Sequence, residues 1–182
     1  MWSVKPSIRL FLSIFLALSV CPISAQEIQT TSLTVAVPRL SALTISGDVS
    51  GLLTLSVDAT GETAFDAGFI ESAADATMLT LSTNDTWDLN AKLNGEWSCP
   101  GAYDKPEDDL TIKITNTPTG TIQNGAGAYI TLSATDTEIL SHDSAVTGNE
   151  VDIQTKVLLD WTNDIPGSYS ISLTYTLTTH LP

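Results

Sequence analysis

Apolar and polar residues alternate with a period of two through short runs along most of this chain, and glycine, proline, asparagine or aspartate interrupts them. A period of two puts successive side chains on opposite faces of an extended backbone, so each run has one face to bury and one to leave in water. The clearest run is SYSISLTYTLTTH, Ser168 to His180, where Tyr169, Ile171, Leu173, Tyr175 and Leu177 fall on one side and Ser170, Ser172, Thr174, Thr176 and Thr178 on the other. Read as one strand, it would span about 40 Å. Just upstream, VDIQTKVLLDW alternates in the same way, with Val151, Ile153, Val157, Leu159 and Trp161 opposite Asp152, Gln154, Lys156 and Asp160. The connector TNDIPGS is built of turn-forming residues, including Pro166-Gly167. The expectation is a long hairpin closing one sheet at the end of the chain.

Comparable runs precede it: SLTVAV, ALTIS, LLTLSV, TMLTLST, TWDLNAKL, LTIKI and AYITLSA, each rich in Val, Ile, Leu and Thr. No amphipathic helix stands out, ESAADATM allowing one turn at most, and no repeat period or linker divides the chain. About nine short strands fit an all-β fold: a two-sheet antiparallel β-sandwich of immunoglobulin-like type.

The beginning of the chain points to export. Lys5 and Arg9 precede the apolar run LFLSIFLALSV, and CPISA then QE follow, the charged, apolar and small-residue order of a secretory signal peptide. The run is short for a membrane span. Residues 1–25 are therefore read as a signal, with cleavage after Ala25, and residues 26–182 as one domain. A second reading makes Cys21, in LSVC, a lipid attachment site. Later in the chain no segment is apolar enough to span a bilayer, so a secreted, extracellular or cell-surface location is expected.

Cleavage would remove two basic residues and no acid, moving the formal net charge from −14 to −16. So acidic a domain has too few Lys and Arg to neutralise a phosphate backbone or bind an anionic membrane. Only Cys99 would remain, leaving no internal disulfide and placing the burden of stability on the core. The remaining 157 residues suffice for that.

Catalysis finds little support. His142 and His180 are the only histidines, no Cys/His pair has zinc spacing, and neither a phosphate-binding glycine loop nor a nucleophile elbow occurs. No cofactor is implied. YDKPEDDL gathers Asp104, Glu107, Asp108 and Asp109, oxygen ligands that calcium would accept, but without the EF-hand spacing or its sixth-position glycine, and a solvated turn is the plainer reading. Asn84-Asp85-Thr86 matches a glycosylation sequon, a weak signal by itself, and is read as a turn.

In STNDTWDLNAKLNGEW, Trp87, Leu89, Ala91 and Leu93 share one face, so Trp87 is either a core aromatic or a contact residue. Trp87-Asp88-Leu89 after a Thr/Asn turn, the early VAVPRLSALTIS, and Tyr169, Leu173, Thr174 and Leu177 in the terminal run together resemble the WxL domains of bacterial surface proteins. In that family a second Trp-x-Leu lies in the last strand; here Tyr175 stands where the Trp would be. The resemblance implies a sandwich attached non-covalently to peptidoglycan, often with other surface proteins, and it makes Trp87, Leu89, Tyr175 and Leu177 candidate wall- or ligand-binding residues. A different reading is a subunit of an extracellular fibre, in which the N-terminal run from Gln26 to Val37 completes a neighbour's sheet.

Overall fold

The computed structural model describes residue 34, residues 36–47 and residues 62–180. The elements below belong to the unit Pro38–Pro182. The expected signal region, Cys21, half of SLTVAV and all of LLTLSV lie outside the described residues.

Ten strands follow one another: β1 (Ser41–Gly47), β2 (Phe69–Glu71), β3 (Thr77–Thr83), β4 (Thr86–Leu93), β5 (Leu110–Ile114), β6 (Thr121–Ile122), β7 (Ile130–Thr131), β8 (Thr137–His142), β9 (Val146–Leu158) and β10 (Leu173–His180). Among the described residues one short helix, α1 (Glu62–Ala67), precedes β2, and one 3-10 turn at Glu107–Asp109 precedes β5. The first sheet runs β1-β3-β9-β5-β7, with β2 also paired to β9; the second runs β10-β4-β8-β6. Every pairing is antiparallel.

The alternation seen in the sequence becomes the division between core and surface. Along β4, Trp87, Leu89, Ala91 and Leu93 are buried while Asp88, Asn90 and Lys92 are only partly covered. Leu79 and Leu81 of β3, Ile112 and Ile114 of β5, and Val151 and Ile153 of β9 meet them from the other sheet, so the chain is all-β with two antiparallel sheets sharing one apolar core. Each fully buried Leu, Ile or Val adds about 1.5–3 kcal/mol over leaving it in water.

In β8 the strict period breaks. Leu89 pairs with Leu140, but the next residue, Asn90, pairs with Glu138, so Ile139 is an extra residue in the ladder. This bulge lets the consecutive Ile139 and Leu140 both enter the core. The segment therefore does not read as a strand by alternation.

The expected terminal hairpin does not form. β9 pairs with β3 and, further along, β2, and also with β5, so its partners are already supplied within the first sheet; β10 instead joins β4 in the other sheet. β9 ends at Leu158 and β10 begins at Leu173, so the connector is a crossing between sheets rather than a tight turn. The long terminal strand is correspondingly shortened to eight residues, and upstream of it Ser170 makes only an isolated bridge to Ser98. Helical structure falls at Glu62–Ala67, not within ESAADATM, whose first residue ends β2. Among the described residues no helix is long and apolar enough to cross a membrane.

Candidate functional site

The antiparallel register of β4 and β10 brings the four candidate contact residues together. Leu177 lies opposite Leu89, Tyr175 opposite Ala91, and Trp87 opposite Thr179. They meet on the inner face. Trp87 and Leu89 are 0% exposed, the Trp87 Nε1 donates to the Ser144 carbonyl at 3.1 Å, and the indole meets His142 edge-on at 6.1 Å. Tyr175 and Leu177 are half-buried and pack against the same core, and burial pushes the Tyr175 hydroxyl well above its usual range. With its ring enclosed and its N–H engaged, Trp87 presents no face to a ligand.

The acidic loop is organised around a cation of the protein's own. Lys105 is sealed from solvent, its side chain 2% exposed, and its Nζ donates to both carboxylate oxygens of Asp164, at 2.9 and 3.0 Å, and to Asp109 Oδ2 at 2.9 Å. The Asp164 side chain is 3% exposed. Burial pulls the Lys105 ammonium down, but its hydrogen bonds to Asp109 and Asp164 outweigh that and leave it raised overall. Tyr103 and Tyr169 wall the cluster with rings at 6.1 Å in a T-shape, and Lys105 Nζ lies 5.8 Å from the Tyr169 ring centre. Burial, then the hydrogen bond to Asp164, pushes the Tyr103 hydroxyl up to about 12. Among the described residues no group of three or more His, Cys, Asp or Glu side chains is arranged to hold a metal ion. In the glycosylation sequon, Asn84 serves as a brace: its side chain accepts from the Leu40 N–H and donates to the Pro38 carbonyl, both at 2.8 Å. Cys99 is a partly buried free thiol.

The exposure of Trp161 is not readable from spacing. In the alternation of VDIQTKVLLDW it shares a side with Val151 and Ile153, but the strand ends three residues earlier and Trp161 is 58% exposed. It is held firmly nonetheless. The Asp160 carboxylate accepts from the Thr162 N–H at 2.7 Å and the Asn163 side-chain amide at 2.6 Å, while the Asp164 N–H closes the turn on the Asp160 carbonyl at 3.0 Å. The backbone bond from Thr162, followed by the Asn163 bond, lowers the Asp160 pKa. Gly68, at φ +76°, ends α1, and its carbonyl accepts from the Leu159 N–H at 2.9 Å, which sets the helix beside the end of β9. Phe65 of α1 then packs on the Trp161 ring at 4.8 Å, and Asp66 accepts from its Nε1 at 3.2 Å. Around them lies an open cleft of about 480 Å³ whose lining includes Phe65, Trp161, Tyr103, Asp109, Asp160 and Asn163.

Neither this aromatic cleft nor the Lys105 cluster is apparent from local pattern. Their one sequence signal is compositional: a lysine set among four acids in YDKPEDDL, and a Trp followed by polar turn residues in DWTND. No protein-family model and no curated protein matches the chain.

Proposed function

We propose that the protein is an exported, non-catalytic surface domain, an immunoglobulin-like sandwich that attaches non-covalently to the glycan of the cell wall. The observation that carries this reading is Trp161: a large aromatic, more than half exposed, held by Phe65 and Asp66 in the lining of a cleft that also includes carboxylate and amide side chains. An indole face packs well on the apolar C–H face of a pyranose ring, and carboxylate and amide oxygens accept hydrogen bonds from ring hydroxyls. A concavity that combines aromatic and aliphatic side chains with a few fixed polar groups is a usual form of such a site. The strong negative charge disfavours anionic glycans and suits neutral or amino-sugar polymers. The Trp87-x-Leu89 and Tyr175-x-Leu177 segments pair side by side against the core, so the surface contact is assigned to Trp161 instead. Both histidines are engaged in packing or pairing, His142 against Trp87 and His180 with Asp88 at 2.5 Å.

Sedimentation with purified peptidoglycan tests this. Wild-type protein is expected in the pellet only when peptidoglycan is present, and Trp161→Ala should weaken that binding at least tenfold, about the 1.4 kcal/mol of one anchoring aromatic. A folded wild-type protein that stays in the supernatant with peptidoglycan defeats the reading.

A second reading, a fibre or other assembly subunit exchanging strands with its neighbours, is favoured by one observation. Among the described residues β1 pairs only with β3 and β10 only with β4, so each carries an edge able to accept an added strand. The donor expected from the sequence, Gln26 to Val37, lies largely outside the described residues. Pelleting of the wild type without peptidoglycan, abolished by deleting Gln26 to Val37, would favour this version.

A further inference from the structure

We propose that Lys105 and Asp164 join through an intramolecular isopeptide bond, tying the loop after β4 to the loop after β9. The proposal does not depend on glycan attachment: Asp109 and Asp160 also line the cleft, but the reacting pair, Lys105 and Asp164, does not, and the chemistry is covalent.

Four features of the cluster converge on it. The reacting groups already touch: Lys105 Nζ is 2.9 and 3.0 Å from the two oxygens of Asp164, within the range from which bound groups react with high effective concentration. Both side chains are almost completely withdrawn from water, at 2% and 3% exposure, so the product is shielded from hydrolysis and the charged pair has lost most of its hydration. A second carboxylate, Asp109, contacts the same nitrogen at 2.9 Å and can carry a proton without being consumed. The Asp164 Oδ2 also accepts from the Asp160 N–H at 3.0 Å, a donor placed to steady an oxyanion as it develops.

The step balances within the cluster. The ammonium passes one proton to Asp109, and the freed lone pair on Nζ attacks Cγ of Asp164. Asp109 returns its proton to a departing carboxylate oxygen, the C–O bond breaks, and a second proton from Nζ leaves with that oxygen as one molecule of water. An amide N–C bond remains, with Asp109 restored and no electron transferred. The ion pair is the resting state, and the reaction draws on the fraction of molecules in which the proton has moved to a carboxylate, a transfer that the loss of solvating water favours. Lys105 and Asp164 are 59 residues apart, so the bond would close a long loop and restrict the unfolded chain as a disulfide does. The expected mature chain keeps a single cysteine and has no disulfide for that purpose.

The experiment is the intact mass of the purified, denatured wild-type protein, followed by proteolytic mapping. The expected result is a chain lighter than its calculated mass by one water, with a branched peptide joining the Lys105 and Asp164 segments. Lys105→Arg, which keeps the charge, and Asp164→Ala should both show their full calculated masses. Asp109→Asn should leave Lys105 and Asp164 unlinked. A folded wild type at its full calculated mass overturns the proposal, and so does a water loss that persists in Lys105→Arg or maps elsewhere. The wild-type measurement decides the question even if a variant fails to fold.

Discussion

Replacing Trp87 with alanine separates a core role for this residue from a contact role. The indole is fully enclosed, so its loss removes about 150–250 Å² of aromatic surface from the core; at ~25 cal/mol per Å², that area alone is worth about 4–6 kcal/mol, part of which the alanine retains. Measured Trp or Phe truncations in cores cost ~3–5 kcal/mol, and the Ser144 carbonyl, which now accepts from Nε1 at 3.1 Å, would lose its partner for a further ~1 kcal/mol. A total near 5 kcal/mol corresponds to a fall in Tm of roughly 10–20 °C for a domain of this size. Urea unfolding followed by far-UV circular dichroism measures it, with Trp87→Phe as a milder variant expected to lose ~1–2 kcal/mol, chiefly through the unpaired carbonyl. If Trp87→Ala unfolds within about 1 kcal/mol of wild type yet no longer pellets with peptidoglycan, the burial reasoning fails and Trp87 is a contact residue of the kind the WxL resemblance implies.

Alkaline pH should expose the buried tyrosines. The folded-state pKa values of Tyr175 and Tyr103 lie above the ordinary 10, so the stability they contribute is complete below about pH 10 and is lost as pH rises through their folded values, about 12 for Tyr103. The urea midpoint is therefore expected to decline above pH 10 and to decline less in Tyr175→Phe; a midpoint unchanged up to about pH 12 would contradict the linkage. Gly167→Ala should destabilise by ~1–3 kcal/mol, because a Cβ there would sit 2.5 Å from Pro100 Cβ at φ +155°; thermal melts indistinguishable from wild type would show that the two loops are not in close contact.

Much of the strand content is legible from local chemistry. In TMLTLST, TWDLNAKL and LTIKI, the turn residues between runs and the β-branched or apolar side chains within them are sufficient to mark β3, β4 and β5. The inward face of β4 follows from the same pattern, since a side chain's face is set by backbone geometry alone. β8 escapes because its bulge destroys the period, and α1 because six residues carry too little helical pattern to register.

Partner choice is a different kind of information. Alternation states which face of a strand is buried but not which neighbour supplies its hydrogen bonds, so the terminal run looked ready to pair with the strand just upstream. That strand already had its partners in β3, β2 and β5, and β10 went to β4. The sites depend on the same non-local decisions. Trp161 is displayed because β9 stops at Leu158 and α1 arrives to hold the ring, and Lys105 finds Asp164 across 59 residues because both loops emerge at one end of the packed sheets. By itself the sequence determined an acidic chain of short amphipathic strands, since charge and periodicity are local properties. Only the tertiary structure decided which strands became neighbours, which tryptophan was buried and which lysine met a carboxylate, because those outcomes depend on competition among distant segments for the same edges and the same core.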